Sequence, residues 1–198
     1  IRDRIWTANE LGLDYTLQLA GGSFGKLDTA EYEQINPNRM IPSIKDGDFA
    51  LWESLAIVRY LCDSYGSGTL SPTDTKLRAT ADQWMEWSAS RPFMPVIYLF
   101  FATVRTAPAE RDPVKIAKLR NESHEALTIV DRHLSDHAYL CGDSFTMGDI
   151  PLGCVVYRYF NVDIERPPLP NVEAWYDRLL RRKACLLYTS DAADEVAG

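Results

Sequence analysis

Residues 36–60 constrain the fold of this chain more than any other stretch, because they place a proline turn, a hairpin and the start of a helix in immediate succession. Two short segments, residues 43–45 and 50–52, predict strands on either side of a turn. Asp46 and Gly47 follow the first strand, and both tolerate the positive φ angles of a tight hairpin. We therefore expect a β-hairpin that leads directly into a helix.

Glu53 and Ser54 stand between the second strand and a segment with helical spacing, residues 55–65. Ser54 occupies the position of an N-cap, with a carboxylate just before it. A helix N-terminus attracts a carboxylate through its N–H groups and dipole, while Glu53 can pair with an ammonium. The junction therefore suits a ligand that carries both groups on one carbon, the end of an amino acid. An ordinary capped helix with a solvated glutamate fits the same spacing, and spacing alone favours it.

Composition excludes several classes of function. The chain has 198 residues, 46% of them hydrophobic, which is enough for one large or two small domains with real cores. Its formal net charge of −7 gives no basic surface of the kind that binds nucleic acid. No apolar run is long enough to span a bilayer. We therefore expect neither a nucleic-acid nor a membrane partner.

The cysteines and histidines predict no metal site. The four cysteines form no C-x-x-C pair, and no histidine lies at zinc-ligand spacing from them. Cys62 and Cys154 fall within apolar helical patterns and are most simply small core residues, which fits a reducing, cytosolic compartment. His133 and His137 form an i, i+4 pair, but without a third ligand a solvated helix surface is the better interpretation.

Local patterns predict the remaining elements. Before the hairpin, the pattern indicates a helix that stops at Gly12, a strand over residues 15–19 and a helix over roughly residues 29–35. After it, everything reads as helical. Residues 74–87 and 113–134 predict long helices, Pro92 and Pro95 should end or kink the first, and a last helix runs from about Val172.

Thr146 and Asp149 resemble a capping box, with Phe145 and Ile150 placed as a hydrophobic staple. Both polar side chains would then be occupied by backbone N–H groups. We therefore interpret this segment as a folding signal rather than a binding site.

Several motifs, in the same order, resemble those of the bacterial cytosolic glutathione transferase family. The central one is Asn-Pro-x-x-x-Ile-Pro, a short hairpin and then Trp-Glu-Ser-x-Ala-Ile-x-x-Tyr-Leu, within residues 36–61. The others are GSFG at residues 22–25, FATVRTAPAERD at 101–112, FTMGD at 145–149 and RPPLPNVEAWYDRL at 166–179. The likeness runs from Ile1 to about Ala184, nearly the whole chain.

The resemblance implies an α/β thioredoxin-like N-terminal domain and an all-α C-terminal helical bundle. Residues 1–66 would form the glutathione-binding domain without its first strand, residues 67–73 a linker and residues 74–184 the helical domain. In the family, that strand is central to the sheet, and the loop after it carries the Ser, Tyr or Cys that activates the glutathione thiol. The catalytic residue is therefore expected upstream of Ile1, and the chain as written is expected to be a truncated, poorly folding and inactive fragment.

The last residues, 185–198, fall outside the likeness. Their sequence, CLLYTSDAADEVAG, resembles translated sequencing-adapter read-through. We therefore interpret them as an artefactual tail, with a genuine C-terminal tail as the alternative.

The resemblance assigns glutathione binding to Arg39, Ile41, Pro42, Glu53 and Ser54. Pro42 should follow a cis peptide bond, and the backbone N–H and C=O of Ile41 should pair with the cysteinyl part of glutathione as a strand would. Glu53 and Ser54 should hold its amino-acid end. Arg39 would contact the glycyl carboxylate, although a solvated loop arginine fits equally well.

A pocket for a small apolar electrophile is expected between the domains. The resemblance lines it with Trp87, Met94, Tyr98 and Phe101, although aromatic residues at helical spacing more often belong to a core. Further candidates by the same analogy are Trp6, Phe24, Tyr157 and Arg105, together with Asp82 for contact with a partner subunit's glutathione.

The implied function is that of a glutathione transferase, which conjugates the glutathione thiolate to small electrophiles. Glutathione would be the cosubstrate, and the protein would be a cytoplasmic homodimer with a role in detoxification. A free thiol has a pKa near 8.5, so only about a few per cent is ionised at pH 7 and the enzyme must lower that pKa. The alternative is a non-catalytic member of the family that serves in binding or regulation.

Overall fold

The computed structural model describes residues 2–185, which divide into two compact units. The first holds residues 2–67 together with residues 182–185, and the second is Gly68–Arg181. The division falls at the start of the predicted linker, but residues 182–185 belong to the first unit rather than to the helical one. None of the described helices is both long enough and apolar enough to cross a membrane. The predicted tail lies outside the described residues except for Cys185, which is buried.

The first unit has the predicted α/β character, with helices on a two-stranded sheet. In chain order its elements are α1 (Arg2–Glu10), a 3-10 turn (Gly22–Phe24), α2 (Ala30–Ile35), β1 (Ser43–Asp46), β2 (Phe49–Trp52) and α3 (Ser54–Tyr65). Thr29 caps α2 by accepting a hydrogen bond from the Tyr32 N–H, and Gly12 ends α1 with a φ of 64°. The apolar side of α3 is buried through Ile57, Val58, Leu61 and Cys62.

The strand predicted over residues 15–19 is wrong. Residues 13–20 have no regular structure, and Tyr15, Leu17 and Leu19 are 48%, 53% and 46% exposed. The alternating pattern is real, but a strand also needs a neighbour for its backbone groups. Within the described residues β1 and β2 pair with each other, and residues 13–20 pair with neither.

The hairpin forms as predicted, but its turn is shifted by one residue. Antiparallel pairing runs from Ser43 opposite Trp52 to Asp46 opposite Phe49. The two-residue turn is therefore Gly47 and Asp48, with Gly47 at a φ of 59°. A glycine in the first central position is typical of a type II′ turn, which matches the twist of the strands. The sequence Asp46-Gly47-Asp48 contains two overlapping turn pairs, and local residue preferences do not distinguish between them.

Asp46 joins the hairpin to α3. Its carboxylate accepts hydrogen bonds from the hydroxyls of Tyr60, at 2.8 Å, and Tyr65. The pKa of Asp46 is lowered mainly by the hydrogen bond from Tyr65 and next by the one from Tyr60. The bond between Tyr65 and Asp46 also raises the pKa of Tyr65 to about 12. Phe49 adds a ring contact with Tyr60 at 5.0 Å between centroids. The orientation of the hairpin on α3 is therefore fixed by side chains as well as by backbone.

Glu10 connects α1 to the segment that follows residue 181. Its carboxylate makes a two-pronged ion pair with Arg182, at 2.7 and 2.8 Å, and accepts a third bond from Trp6 Nε1 at 2.9 Å. The Glu10 side chain is 9% exposed and that of Arg182 is 31% exposed. Bidentate pairs of this kind are the strong class of charged hydrogen bond.

The second unit is helical, as predicted. Its elements are α4 (Thr75–Ser90), α5 (Phe93–Phe100), a π-helical turn (Phe101–Arg105), a 3-10 turn (Pro108–Glu110), α6 (Pro113–His133), α7 (Asp149–Phe160) and α8 (Pro170–Leu180). Asp74 and Asp112 cap α4 and α6. Asp131, on α6, accepts bonds from the first backbone N–H groups of α8. The core contains Met85, Leu99, Leu127, Met147, Ile150, Leu152, Tyr159, Trp175 and Leu179.

The predicted capping box is half right. The Asp149 carboxylate accepts the Thr146 N–H at 2.9 Å, as expected, but the Thr146 hydroxyl accepts from Gly148 N–H rather than from Asp149 N–H. Asp149 also receives the Leu140 N–H at 3.0 Å and Trp175 Nε1 at 2.9 Å. It is fully buried, so one carboxylate joins the start of α7, α8 and the preceding loop.

Gly148 allows α4 and α7 to pack closely. A Cβ added at Gly148 would lie 3.2 Å from both the Cα and the carbonyl oxygen of Ala81. These are backbone atoms, so they cannot rotate away as a side chain would. The two helices therefore meet through two of the smallest residues available.

Candidate functional site

The junction between β2 and α3 presents an exposed helix N-terminus. The first bond inside α3 runs from Ile57 N–H to the Glu53 carbonyl, at 3.0 Å. The N–H groups of residues 54–56 therefore have no partner within the helix. Glu53 is exposed and has a φ of 75° and a ψ of 125°, which is uncommon for a residue with a Cβ. Backbone conformations of this kind cluster at ligand sites.

Ser54 is not the N-cap that the sequence predicted. Glu53 takes that position, and it makes no side-chain capping bond. The Ser54 hydroxyl instead accepts a hydrogen bond from Nη1 of Arg4, on α1. Arg4 is 6% exposed, and its guanidinium lies 3.4 Å from the carboxylate of Asp3. Local spacing could not reveal this contact, since 50 positions separate the two residues.

The Ile41–Pro42 peptide bond is cis, as predicted. Two polar side chains that sequence reasoning missed hold the loop before it. The Tyr32 hydroxyl donates to the Met40 carbonyl at 2.8 Å, and Asn36 Nδ2 donates to the same oxygen at 2.7 Å. Ile41 makes no backbone hydrogen bond to any other residue in the described part of the chain.

The hairpin register brings the two halves of the motif to one end of the sheet. Ser43 pairs with Trp52 at the open end of the hairpin. Pro42 comes directly before Ser43 and Glu53 directly after Trp52, so both flank this pair. Residues that are eleven positions apart in sequence therefore become neighbours. The Ile41 backbone and the N-terminus of α3 form one cluster at the end of the hairpin.

Arg39 lies in the loop before this cluster. It has a φ of 53°, and its guanidinium lies 2.8 Å from Glu33 and 4.0 Å from Asp28. The arginine is 43% exposed and Glu33 is 50% exposed. Exposed pairs of this kind contribute only about 0–1 kcal/mol, so this one leaves the guanidinium available for exchange to a ligand carboxylate.

The predicted electrophile residues lie in the second unit, on α4, α5 and the π-helical turn. Met94, Tyr98 and Phe101 share one helix face and are 44%, 48% and 40% exposed. Trp87 is half-buried, with its ring edge against Trp84 at 5.4 Å. Three large apolar side chains on one exposed face are unusual for a helix that only packs into a core.

The π-helical turn was not predicted. Thr106 N–H bonds to the Phe101 carbonyl at 3.0 Å, five residues back, and the buried Thr103 hydroxyl donates to Leu99 at 2.6 Å. Turns of this kind are frequent at functional sites. Of the further lining candidates, Trp6 is only 2% exposed and belongs to the core of the first unit, whereas Phe24 is 39% exposed.

The histidine pair does not form part of a larger cluster. The rings of His133 and His137 lie 4.6 Å apart, and His133 Nε2 is 2.9 Å from the Leu140 carbonyl. Across residues 2–185, no three His, Cys, Asp or Glu side chains gather in a way that would hold a metal ion.

Both units match the domains of one enzyme family. Residues 5–64 match the glutathione S-transferase N-terminal domain, and residues 113–178 match the C-terminal domain. The sequence is 35% identical to glutathione S-transferase GstB of Escherichia coli K12, over 93% of this chain and 89% of that relative. It is 30% identical to glutathione S-transferase F14 of Arabidopsis thaliana, over 92% and 76% of the two chains.

A solved structure agrees with these matches. The theta class glutathione S-transferase of Xanthomonas axonopodis pv. citri, crystallised with glutathione bound, has a TM-score of 0.90 and 43% identity, covering 97% of this chain and 92% of that one. The two domain matches fall in the two structural units in the predicted order, and the first contains the cluster at the end of the hairpin. The chain belongs to the glutathione S-transferase family.

Proposed function

We propose that this protein binds glutathione at the end of the β1–β2 hairpin and conjugates its thiol to small apolar electrophiles. The observation that carries the proposal is the juxtaposition of the Ile41–Pro42 turn with Glu53, at a φ of 75°, and the N-terminus of α3. The 43% identical theta class structure with glutathione bound supports the same ligand.

The α3 end of the cluster suits the γ-glutamyl group of glutathione. Its α-carboxylate would accept hydrogen bonds from the Ser54 N–H and hydroxyl, where the helix dipole favours negative charge. Its α-ammonium would pair with the exposed carboxylate of Glu53. The ligand thus supplies both an anion for the helix end and a cation for Glu53.

The Ile41 end suits the cysteinyl residue. An extended peptide can add to an exposed backbone edge by exchanging N–H and C=O hydrogen bonds, and Ile41 has both groups available. Arg39 would then exchange its exposed pair with Glu33 for the glycyl carboxylate of glutathione. Together these contacts place the thiol by fixing the peptide on both sides of it.

The electrophile would contact the exposed apolar face of Met94, Tyr98 and Phe101, with Trp87 beside it. In the reaction the thiol gives up its proton, and the thiolate sulfur forms a bond to an electrophilic carbon. Where that carbon carries a leaving group, the group departs with its bonding electrons. A largely apolar surface excludes water but discriminates little between polar groups, which fits a broad set of substrates in detoxification.

A homodimer is part of the proposal, and family membership is its support. Light scattering on the purified chain at micromolar concentration should give twice the mass of one chain. A monomeric mass under those conditions would count against the dimer and leave the glutathione site untouched.

The four cysteines are free, which supports a reducing compartment such as the cytoplasm.

Glu53→Ala should weaken glutathione binding about 10- to 150-fold, because a hydrogen bond to a charged group contributes about 1.5–3 kcal/mol. Isothermal titration calorimetry measures this directly. Glu125→Ala, which removes an exposed acid from α6, is the matched control and should leave affinity unchanged. Equal affinity in the Glu53 variant and the wild type would overturn the site.

Conjugation with a general aryl halide separates the enzyme from a non-catalytic binding protein. The transferase proposal requires absorbance of the conjugate to grow with glutathione and protein concentration. In a protein that also carries the expected thiol-activating residue, tight binding of glutathione without any conjugation would instead assign a binding or regulatory role.

A further inference from the structure

We propose that Arg4 is a positioning residue for the γ-glutamyl α-carboxylate of glutathione and that it acts through the Ser54 hydroxyl. The inference deepens the proposed glutathione site and rests on it.

Arg4 places a buried positive charge beside the start of α3. Arg4 is 6% exposed, and its Nη1 donates to Ser54 Oγ at the first position of α3. A buried guanidinium beside a helix N-terminus adds a full positive charge to the partial charge of the dipole. Because Arg4 itself is buried, its charge is screened less than that of a surface arginine, and it favours an anion at the same place.

The Ser54 hydroxyl can donate a hydrogen bond to a ligand while it accepts one from Arg4. A hydroxyl can donate one hydrogen bond and accept two. Since Ser54 Oγ already accepts from Arg4, its own hydrogen points elsewhere, and it has no acceptor among residues 2–185. Hydrogen bonds in a chain polarise one another, so acceptance from a guanidinium makes the hydroxyl a stronger donor. Arg4 thereby orients and strengthens a donor for a carboxylate.

Asp3 restricts the position of the Arg4 guanidinium. The Arg4 guanidinium lies 3.4 Å from Asp3, whose side chain is 13% exposed. This partner balances part of the buried charge and holds the planar group in place. The donor at Ser54 is therefore in position before the ligand arrives, which lowers the entropic cost of binding.

The test uses two ligands that differ only in the group that Arg4 is proposed to favour. One is glutathione, and the other is 4-aminobutyryl-cysteinyl-glycine, which lacks the γ-glutamyl α-carboxylate. Arg4→Met keeps the length of the side chain and removes the charge. By calorimetry it should weaken glutathione binding roughly tenfold and change binding of the analogue less than about twofold. Arg4→Lys should restore most of the glutathione affinity.

A structural role for Arg4 would look different. It predicts an equal loss for both ligands, and that result would overturn the proposal, as would no loss for either. A wild-type chain that binds neither ligand would instead overturn the proposed glutathione site itself. Where Arg4→Met gives no cooperative melt, Asp3→Asn/Arg4→Met removes the whole pair, and the same two ligands decide the outcome.

The route through Ser54 has its own readout. Arg4→Met should lower glutathione affinity less in a Ser54→Ala background than in the wild type, because the hydroxyl that couples Arg4 to the ligand is absent. On the logarithmic scale, the loss in the Ser54→Ala background should be less than half of the loss in the wild type. Additive effects of the two substitutions would show that Arg4 does not act through Ser54.

Discussion

Asp149→Ala should lower the free energy of unfolding by about 3–6 kcal/mol. The substitution leaves three buried N–H donors without an acceptor, those of Thr146, Leu140 and Trp175, and each orphaned group costs about 1–3 kcal/mol. The loss is larger than that of a simple cap because one carboxylate serves three segments of the helical unit. Urea denaturation followed by circular dichroism measures it.

Asp143→Ala is the control, since Asp143 is an exposed acid in the loop just before α7. Substitutions at such positions usually change stability by less than about 0.5 kcal/mol. If the Asp149 and Asp143 variants differed by less than 1 kcal/mol, with 1 kcal/mol taken as about the size of one ordinary hydrogen bond, the proposed role of Asp149 would be wrong.

The pH dependence of this effect has a defined sign. Burial raises the pKa of Asp149 from 3.8 to about 6, although hydrogen bonds from Leu140 and Thr146 oppose the shift. Between those values the folded state binds more protons than the unfolded state, so stability falls as pH rises. The difference in unfolding free energy between wild type and Asp149→Ala should therefore be larger at pH 4 than at pH 7, by up to about 3 kcal/mol.

Glu10→Ala should lower the free energy of unfolding by about 2–4 kcal/mol. It removes both prongs of the bond to Arg182 and the hydrogen bond from Trp6 Nε1 to Glu10. Breaking a fully buried pair costs about 3–5 kcal/mol, and the 31% exposure of Arg182 places this one lower. Denaturation with urea gives the magnitude, and hydrogen exchange at residues 182–185 should rise along with it.

Glu122→Ala provides the comparison for Glu10, because it breaks an exposed i, i+4 pair with Lys118. That pair contributes about 0.3–0.5 kcal/mol. Equal losses in the two variants would mean that the Glu10–Arg182 pair contributes no more than a surface contact.

The elements that the sequence predicts correctly are those with local causes. The hairpin is specified by a turn glycine at position 47, and α6 by a proline at its first position after Asp112. The segment 15–19 shows the limit, since an alternating pattern states which face is apolar but not whether a partner strand is present. The long reach of Asp149 to Trp175, 26 positions away, has no local signal either.

The residues of the candidate site also divide into those with a local signal in the sequence and those without one. Glu53, Ser54 and the Ile41–Pro42 turn could be predicted as site residues because they fall within one short motif around a hairpin. Arg4 was missed because its partner is 50 positions away. Tyr32 and Asn36 were missed because their role is to hold the Met40 carbonyl, and a backbone acceptor leaves no trace in the sequence.

The close approach of Gly148 to Ala81 has a consequence for how substrate preference can evolve. Ala81 and Trp87 both lie on α4, and a packed helix transmits a displacement along its length. A methyl group at position 148 would displace α4 by a few tenths of an ångström at Ala81, and Trp87 would move with the helix. If Trp87 contacts the electrophile as proposed, selection can retune that contact through position 148, without altering any residue that touches the substrate.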